Sequence, residues 1–343
     1  MVDLSICIPT FNRVYYLNNC LNSIKLANKN SDLKVEVCIS DNCSSENVEH
    51  IVEKYKDDLN LTFNKNEQNL GMGQNILKSV SMAKGNFCWL LGNDDIVLSD
   101  TFEKFKILMR KDNNIDFFYV NSYHLDILYL KKFDYPINPK NINFKDMKKF
   151  SNYTNSKKMN FFELFDPKVS YEFMLSMFLC IFRRKIWIEG LDAIDMTKVS
   201  ENSQYSNLHN TAPHSLVWAR GFKDKKAYFS SDPLTANVHG PRSDDWGNIY
   251  PFVEGVRIPQ ILDNLKKEGM SFFQYVKCKN FALRRLIPSF FYMIKNKESS
   301  NLEYVNIKKD FFYNLIFPMV YISLIKLILK KIFKNIKSFL KLN

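Results

Sequence analysis

Four short apolar runs alternate with stretches of helical periodicity over the first hundred residues, and this pattern leaves few folds open. Residues 4–8 form a run that stops at Pro9. Residues 35–39 form a second, ending at Asp41 and Asn42; residues 61–63 are a shorter third, and residues 87–91 a fourth. Between them Val14, Leu17, Leu21 and Ile24 recur at helical spacing with Asn12 available as a cap, and Ile76, Leu77, Val80 and Ala83 form another such face. Strands that alternate with helices imply right-handed crossovers and a mostly parallel sheet flanked by helices, so the expected fold class is α/β. In open sheets of this kind ligands bind beyond the carboxyl ends of the strands. The residues to weigh are therefore 9–13, 41–44 and 92–95.

Charge narrows the list of partners. The 343-residue chain has 48 Lys and Arg against 36 Asp and Glu, a net charge of +12. Residues 1–100 nevertheless carry 9 basic and 13 acidic residues, whereas residues 311–343 hold six lysines and no acid. Basic groups gathered in a tail do not make a nucleic-acid groove, and no nucleic-acid partner is expected. From Lys326 onward the lysines at 326, 330, 334, 337 and 341 fall on one helical face, with Leu329, Ile332, Phe333, Ile336, Phe339 and Leu340 opposite. That is the pattern of a helix lying in the interface of an anionic membrane surface. Residues 311–325 are more uniformly apolar, but Asn314 and Pro318 interrupt them and Lys326 cuts the run short of the ~20 residues a spanning helix needs. Peripheral attachment is the expectation. The seven cysteines include no Cys-x-x-Cys pair, and Cys7, Cys38 and Cys88 sit within apolar runs. With no leader pattern after Met1, the expected location is the cytoplasmic side of the cell membrane.

The strand ends carry the chemistry. Pro9, Thr10, Asn12 and Arg13 put polar side chains at a helix N-terminus, a place for an anion or a base edge. Asp41 is an acceptor suited to a base N–H or ribose hydroxyls. Asn93, Asp94 and Asp95 follow a buried strand directly, and adjacent carboxylates there suit Mg²⁺ or Mn²⁺, which keep waters and add substrate phosphates. The segment Asn69-Leu70-Gly71-Met72-Gly73 is not a dinucleotide loop: it has no third glycine and comes too late for the first βα turn.

Taken in order, these blocks make residues 4–105 resemble the nucleotide-sugar-binding half of a family-2 glycosyltransferase with the GT-A fold. The carriers are Ser5 through Arg13, Val37 through Ser44, Asn69-Leu70-Gly71 through Asn75, and Gly85 through Asp95. Residues 182–191 and 213–239 resemble the abequosyltransferase-like branch more loosely. The resemblance gives residues 1–105 to the donor and 106–250 to acceptor and catalysis; by their own pattern residues 251–305 read as a helical extension and 306–343 as the basic amphipathic tail. It also implies that Thr10 and Asp41 contact the nucleoside. Pro9, Asn12, Arg13, Asn69, Gly71 and Asn75 would line the donor site. Asn93, Asp94 and Asp95 stand at the Asp-x-Asp position, Asp95 as metal ligand and Asp94 near ribose or sugar. The first of the three is Asn, and Gln74 stands where many relatives have arginine. His239 would complete the metal contacts, and Arg242 would touch phosphate. His214 occupies the slot of the catalytic base, with Glu201 and Asp192 as alternatives.

The activity so implied is metal-dependent, inverting transfer of one hexosyl or deoxyhexosyl unit from a nucleotide-sugar donor to a glycan. The acceptor would be lipid-linked, in surface polysaccharide or glycoconjugate synthesis. A sugar nucleotidyltransferase would want a glycine-rich loop after the first strand, which residues 9–13 do not provide. A non-catalytic membrane-surface adaptor on the same fold is the third reading.

Overall fold

The four apolar runs become β1 (Leu4–Thr10), β2 (Val35–Asp41), β3 (Leu61–Lys65) and β4 (Phe87–Leu90) in a computed structural model. It describes residues 1–169, 172, 175–199, 205–240, 248–297 and 301–340. The four strands are parallel, in the order β3-β2-β1-β4. The crossovers contain α1 (Val14–Asn28), α2 (Val48–Glu53) and α3 (Met72–Ser81). β1, β2 and β4 are buried almost throughout, which is why they read as unbroken apolar runs and not as alternating ones. The polar exceptions are satisfied. Buried Glu36 accepts hydrogen bonds from Ser5 Oγ at 2.6 Å and from the backbone N–H groups of Lys84 and Gly85.

Beyond β4 the sheet turns mixed. β5 (Asp95–Val97), β6 (Phe117–Asp126), β7 (Lys157–Asn160), β8 (Cys180–Arg183) and β9 (Lys226–His239) extend it to the order β3-β2-β1-β4-β8-β6-β9-β5, with β7 also paired to β9. β8 runs antiparallel to β4 and β6, and β5 and β7 run antiparallel to β9. The sequence predicts that the last strand ends before Pro233; instead β9 continues through it. The ladder to β6 shifts register around Asn121, opposite the prolyl position that has no N–H to give. Asn121 Nδ2 bridges the gap by donating to the backbone oxygens of Ser151 and Ser231. Residues 131–160, rich in Asn and Lys, read from sequence as a long excursion, yet they contain β7, whose Lys-Lys-Met-Asn sequence carries no strand signal. Its pairing with β9 decides its conformation.

The chain divides into two compact units, Met1–Ser243 with the sheet and Asp244–Asn343. The second is helical, as the periodicity of residues 251–300 predicts. Helices Ile258–Lys267, Phe272–Ala282 and Leu286–Lys295 bury Leu262, Leu265, Cys278, Leu286 and Phe290. Lys279 is also buried, held by Asp263 Oδ1 at 2.6 Å and the Pro259 carbonyl at 2.9 Å. The lysine-bearing tail forms one helix, Pro318–Leu340. Among the described residues no single helix is long and apolar enough to cross a membrane. The pair Ile307–Ile316 and Pro318–Leu329, bent by 87°, passes by length and composition alone.

Candidate functional site

The carboxyl ends of the parallel strands meet in one row. Thr10 pairs with Asp41 and Asp41 with Lys65 across the ladder. Extending the β1–β4 register by three residues from Cys7 and Leu90 brings Asn93 opposite Thr10. The side chains make that contact: Asn93 Nδ2 donates to Thr10 Oγ1 at 2.7 Å. Asp41 is fully buried. Its Oδ1 accepts from Ser44 N at 3.2 Å and from the Ser44 hydroxyl, in a turn that requires the positive φ (63°) of Cys43. Its Oδ2 has no hydrogen-bond partner among the described residues. A buried carboxylate oxygen left in that state is costly, and the cost is relieved by a ligand that brings an N–H or O–H.

Neighbouring loops are clipped to this row by asparagines. Asn12, with φ 49°, accepts from the backbone and hydroxyl of Ser45, while its own N–H donates to Ser44 Oγ at 2.8 Å. Asn75 uses its whole amide on the scaffold. Nδ2 donates to the Ser40 and Thr10 carbonyls, and Oδ1 accepts from Ser40 Oγ and Asn66 Nδ2. Asn69 Oδ1 accepts from Asn42 Nδ2 and from Gly71 N, and Gly71 takes the φ of 80° that starts α3. The bonds of Asn69 and Asn75 thus fix where the strand ends lie. Pro9 stands one position before this row, opposite Ser40 in the β1–β2 ladder.

The acidic motif closes the site. Asp94 Oδ2 accepts from the Arg13 guanidinium at 3.2 Å, an ion pair linking the loops after β1 and β4. Asp95 is buried, with Oδ2 accepting from Gly92 N and Oδ1 from Asn237 Nδ2, each at 2.8 Å. Asn237 stands opposite Asp95 in the β5–β9 ladder. Both carboxylates converge on the bare face of Gly92. A Cβ there would lie 2.7 Å from Asp94 Oδ1 and 2.8 Å from Asp95 Oδ2, inside contact distance. Gly92→Ala is therefore expected to splay the pair and remove activity while the chain still folds. Parent-like turnover in the alanine variant would refute a role for this convergence. Among the described residues no group of three or more His, Cys, Asp or Glu could hold a metal by itself. The donor set instead is two carboxylates that converge on Gly92, one of them paired with Arg13. That chemistry fits a divalent cation whose other ligands come from substrate and water.

The later candidates are spread more widely. His239 ends β9 two residues past Asn237, exposed, and meets His124 edge-on at 5.6 Å between ring centroids. His124, which sequence reasoning missed, stacks on Phe150 at 3.9 Å. Burial, with His239 and Lys148 adding, pushes its pKa down to about 4, so the imidazole is neutral at ordinary pH. Only the β6–β9 pairing brings it beside His239. His214 is buried in the first turn of helix Pro213–Phe222, edge-on to Trp218 at 5.0 Å. The turn before it packs on α3: a Cβ on Gly73 would lie 2.8 Å from the Asn210 carbonyl oxygen. Asp192 pairs with Arg220 at 2.8 Å. Arg242 and Glu201 lie outside the described residues.

A mostly parallel sheet flanked by helices, with a buried aspartate and a paired acidic motif at its strand ends, is an α/β domain of GT-A type. Residues 5–167, a little under half of the chain, match the family model for glycosyl transferase family 2, so the sheet-bearing part of the chain carries a domain of that family. It is 41% identical over 100 residues to the abequosyltransferase RfbV of Salmonella typhimurium, covering 29% of this chain and 30% of that protein. It is 35% identical over 117 residues to the GalNAc(5)-diNAcBac-PP-undecaprenol beta-1,3-glucosyltransferase of Campylobacter jejuni, covering 33% of this chain and 35% of that one. The matched stretches thus span about a third of these curated relatives. In fold, the crystal structure of S. aureus TarS 1–349 in complex with UDP superposes with a TM-score of 0.53 at 15% identity, over 86% of this chain and 72% of that one.

Proposed function

We propose that this protein transfers a single sugar from a nucleotide-sugar donor to a glycan acceptor at a membrane surface. The observation that carries the reading is the buried Asp41 Oδ2 aligned in one strand-end row with Thr10 and Asn93, next to the converging Asp94 and Asp95. Asp41 accepts an N–H or O–H of the nucleoside, with Thr10 beside it in the strand-end row. Asp94, held by Arg13, faces the ribose or sugar. Asp95 and His239 would hold a divalent cation, Mn²⁺ or Mg²⁺, which when bound supplies neutralisation of the charge growing on the departing diphosphate. Arg242 adds a cationic contact to phosphate. The acceptor hydroxyl loses a proton as it attacks, and His214 is the base proposed for an inverting displacement. The family match and the likeness to the two bacterial transferases support the reaction class.

The tail supports a lipid-linked acceptor and peripheral attachment on the cytoplasmic side: five of its six lysines fall on one helical face by spacing, in a segment without acids. Truncation after Lys309 is expected to move the protein from the membrane to the soluble fraction; unchanged membrane recovery refutes the attachment. For the reaction, a thermal-shift series of UDP-, CDP-, GDP- and dTDP-sugars with Mn²⁺ is expected to single out one nucleotide class, with the shift lost in Asp41→Asn. Pyrophosphate release from a nucleoside triphosphate would instead identify a nucleotidyltransferase. No stabilisation by any donor would leave the adaptor reading.

A further inference from the structure

Residues 311–325 of the second unit contain no charged side chain. They are folded into an elbow, in which the arms Ile307–Ile316 and Pro318–Leu329 meet at 87° across Phe317. Asn314, Phe317 and Val320, at every third position through the bend, are buried. Apolar side chains stand on its outer side: Phe312, Tyr313 and Ile316 on the first arm and Tyr321, Ile322 and Ile325 on the second are exposed, Ile316 to 80%. A continuous uncharged ridge of this kind marks a surface that meets something other than water.

Three observations choose what it meets. The start of a helix ordinarily turns its free N–H groups to water, and here they are met from within. Phe317 N donates to the Asn314 carbonyl at 3.3 Å, Pro318 has no N–H, Met319 N donates to Asn280 Oδ1 at 2.9 Å and Val320 N to the Phe317 carbonyl at 3.2 Å. The polar side chains of the bend are also satisfied, Asn314 Nδ2 donating to the Asp310 carbonyl at 2.8 Å and the Ser323 hydroxyl to the Val320 carbonyl at 3.0 Å. Donors satisfied internally are what hydrocarbon demands of a backbone and what a protein partner does not. Exposed cations bracket the ridge, Lys308 and Lys309 before it and Lys326 after it, whereas the neighbouring acid Asp310 is buried and accepts from Asn306 N and Gln260 Nε2. The dimensions agree as well. At about 1.5 Å per residue the uncharged parts of the arms, 311–316 and 318–325, run roughly 9 and 12 Å. That is far short of the ~30 Å hydrocarbon core and close to the ~5–10 Å to which interfacial helices sink. We infer that this elbow inserts its outer side into the acyl layer of one membrane leaflet, with Lys308, Lys309 and Lys326 held at the headgroups.

The inference rests on the membrane as partner, as the tail attachment proposed above does, and salt separates the two. The full-length chain is sedimented with vesicles of phosphatidylcholine alone, and of phosphatidylcholine with phosphatidylglycerol, at low salt and at about 1 M, where screening shortens to about 3 Å. The parent is expected to stay on the neutral vesicles at high salt, because insertion needs no charge. Ile316→Ser and Ile325→Ser are each expected to weaken that binding about ten-fold, the factor that burying one such side chain is worth. Both positions are exposed, so the melting temperature should not move. For depth, the fluorescence that Ile316→Trp adds to the parent is expected to be quenched by lipids brominated on the acyl chain and shielded from iodide in the water. If the protein binds only anionic vesicles, is released by salt and is indifferent to both serine substitutions, the elbow is overturned while the tail attachment stands. Quenching by iodide and not by bromine in the bound protein overturns it equally. A parent that binds neither vesicle overturns both readings, and if it is then a dimer that Ile316→Ser dissociates, the ridge belongs to a second copy of the chain.

Discussion

Asp41→Asn is expected to lower kcat/KM for the nucleotide-sugar donor by about a hundred-fold or more. Oδ1 of Asp41 accepts two donors from Ser44, so an asparagine keeps its oxygen there and turns its NH₂ to where Oδ2 now lies. A ligand donor that meets an acceptor in the parent then meets another donor. Losing one hydrogen bond to a charged acceptor costs about 1.5–3 kcal/mol, and leaving the opposed donors buried and unpaired adds to it, as when a site built for a hydrogen bond receives the wrong partner. Folding should not suffer, because a buried charge with one unpartnered oxygen is removed. The decisive pair of measurements is donor titration and thermal melting: a variant that melts like the parent yet binds donor equally well would remove Asp41 from the site.

Asp95→Ala is expected to be both inactive and markedly less stable, by about 2–5 kcal/mol in urea denaturation. Its carboxylate is the acceptor for Gly92 N and Asn237 Nδ2, donors from segments 145 residues apart in sequence, and the truncation leaves both without it. Asp95→Asn retains one acceptor oxygen and should fall between the alanine variant and the parent in stability while remaining as inactive. An Asp95→Ala protein within about 0.5 kcal/mol of the parent would mean that the bonds to Gly92 and Asn237 contribute nothing to the fold. The two substitutions thus differ in kind: the first separates binding from folding, the second ties them together.

Much of this site was legible in the chain. Parallel strands buried on both faces advertise themselves as apolar runs, so β1, β2 and β4 and the residues just after them could be located in advance. The shape of the motif that follows β4 was not. Whether Asn93, Asp94 and Asp95 point to solvent, to each other or to the scaffold depends on Thr10, Arg13 and Asn237, which lie 83, 81 and 142 positions away from their respective partners. Asn75 illustrates the same limit. Its place in a resembling motif marks it for the donor, whereas its amide is committed to the Ser40 and Thr10 carbonyls and to the side chains of Ser40 and Asn66. β9 illustrates another: a proline inside a strand reads as a terminator, and only the register shift against β6 allows the strand to continue.

The order of apolar runs, the glycine and carboxylates at their ends, and the one-sided lysines of the tail are local properties of the chain, and the sequence alone determined them. Burial on two faces and helical spacing act within a few residues and leave their mark there. The partner of each polar side chain was decided only by the tertiary structure. Hydrogen-bonding groups are short-ranged and interchangeable, so Asn237 meeting Asp95, His124 meeting His239 and Asn280 meeting the Met319 N–H follow from which strands and helices become neighbours. No spacing along the chain encodes that adjacency.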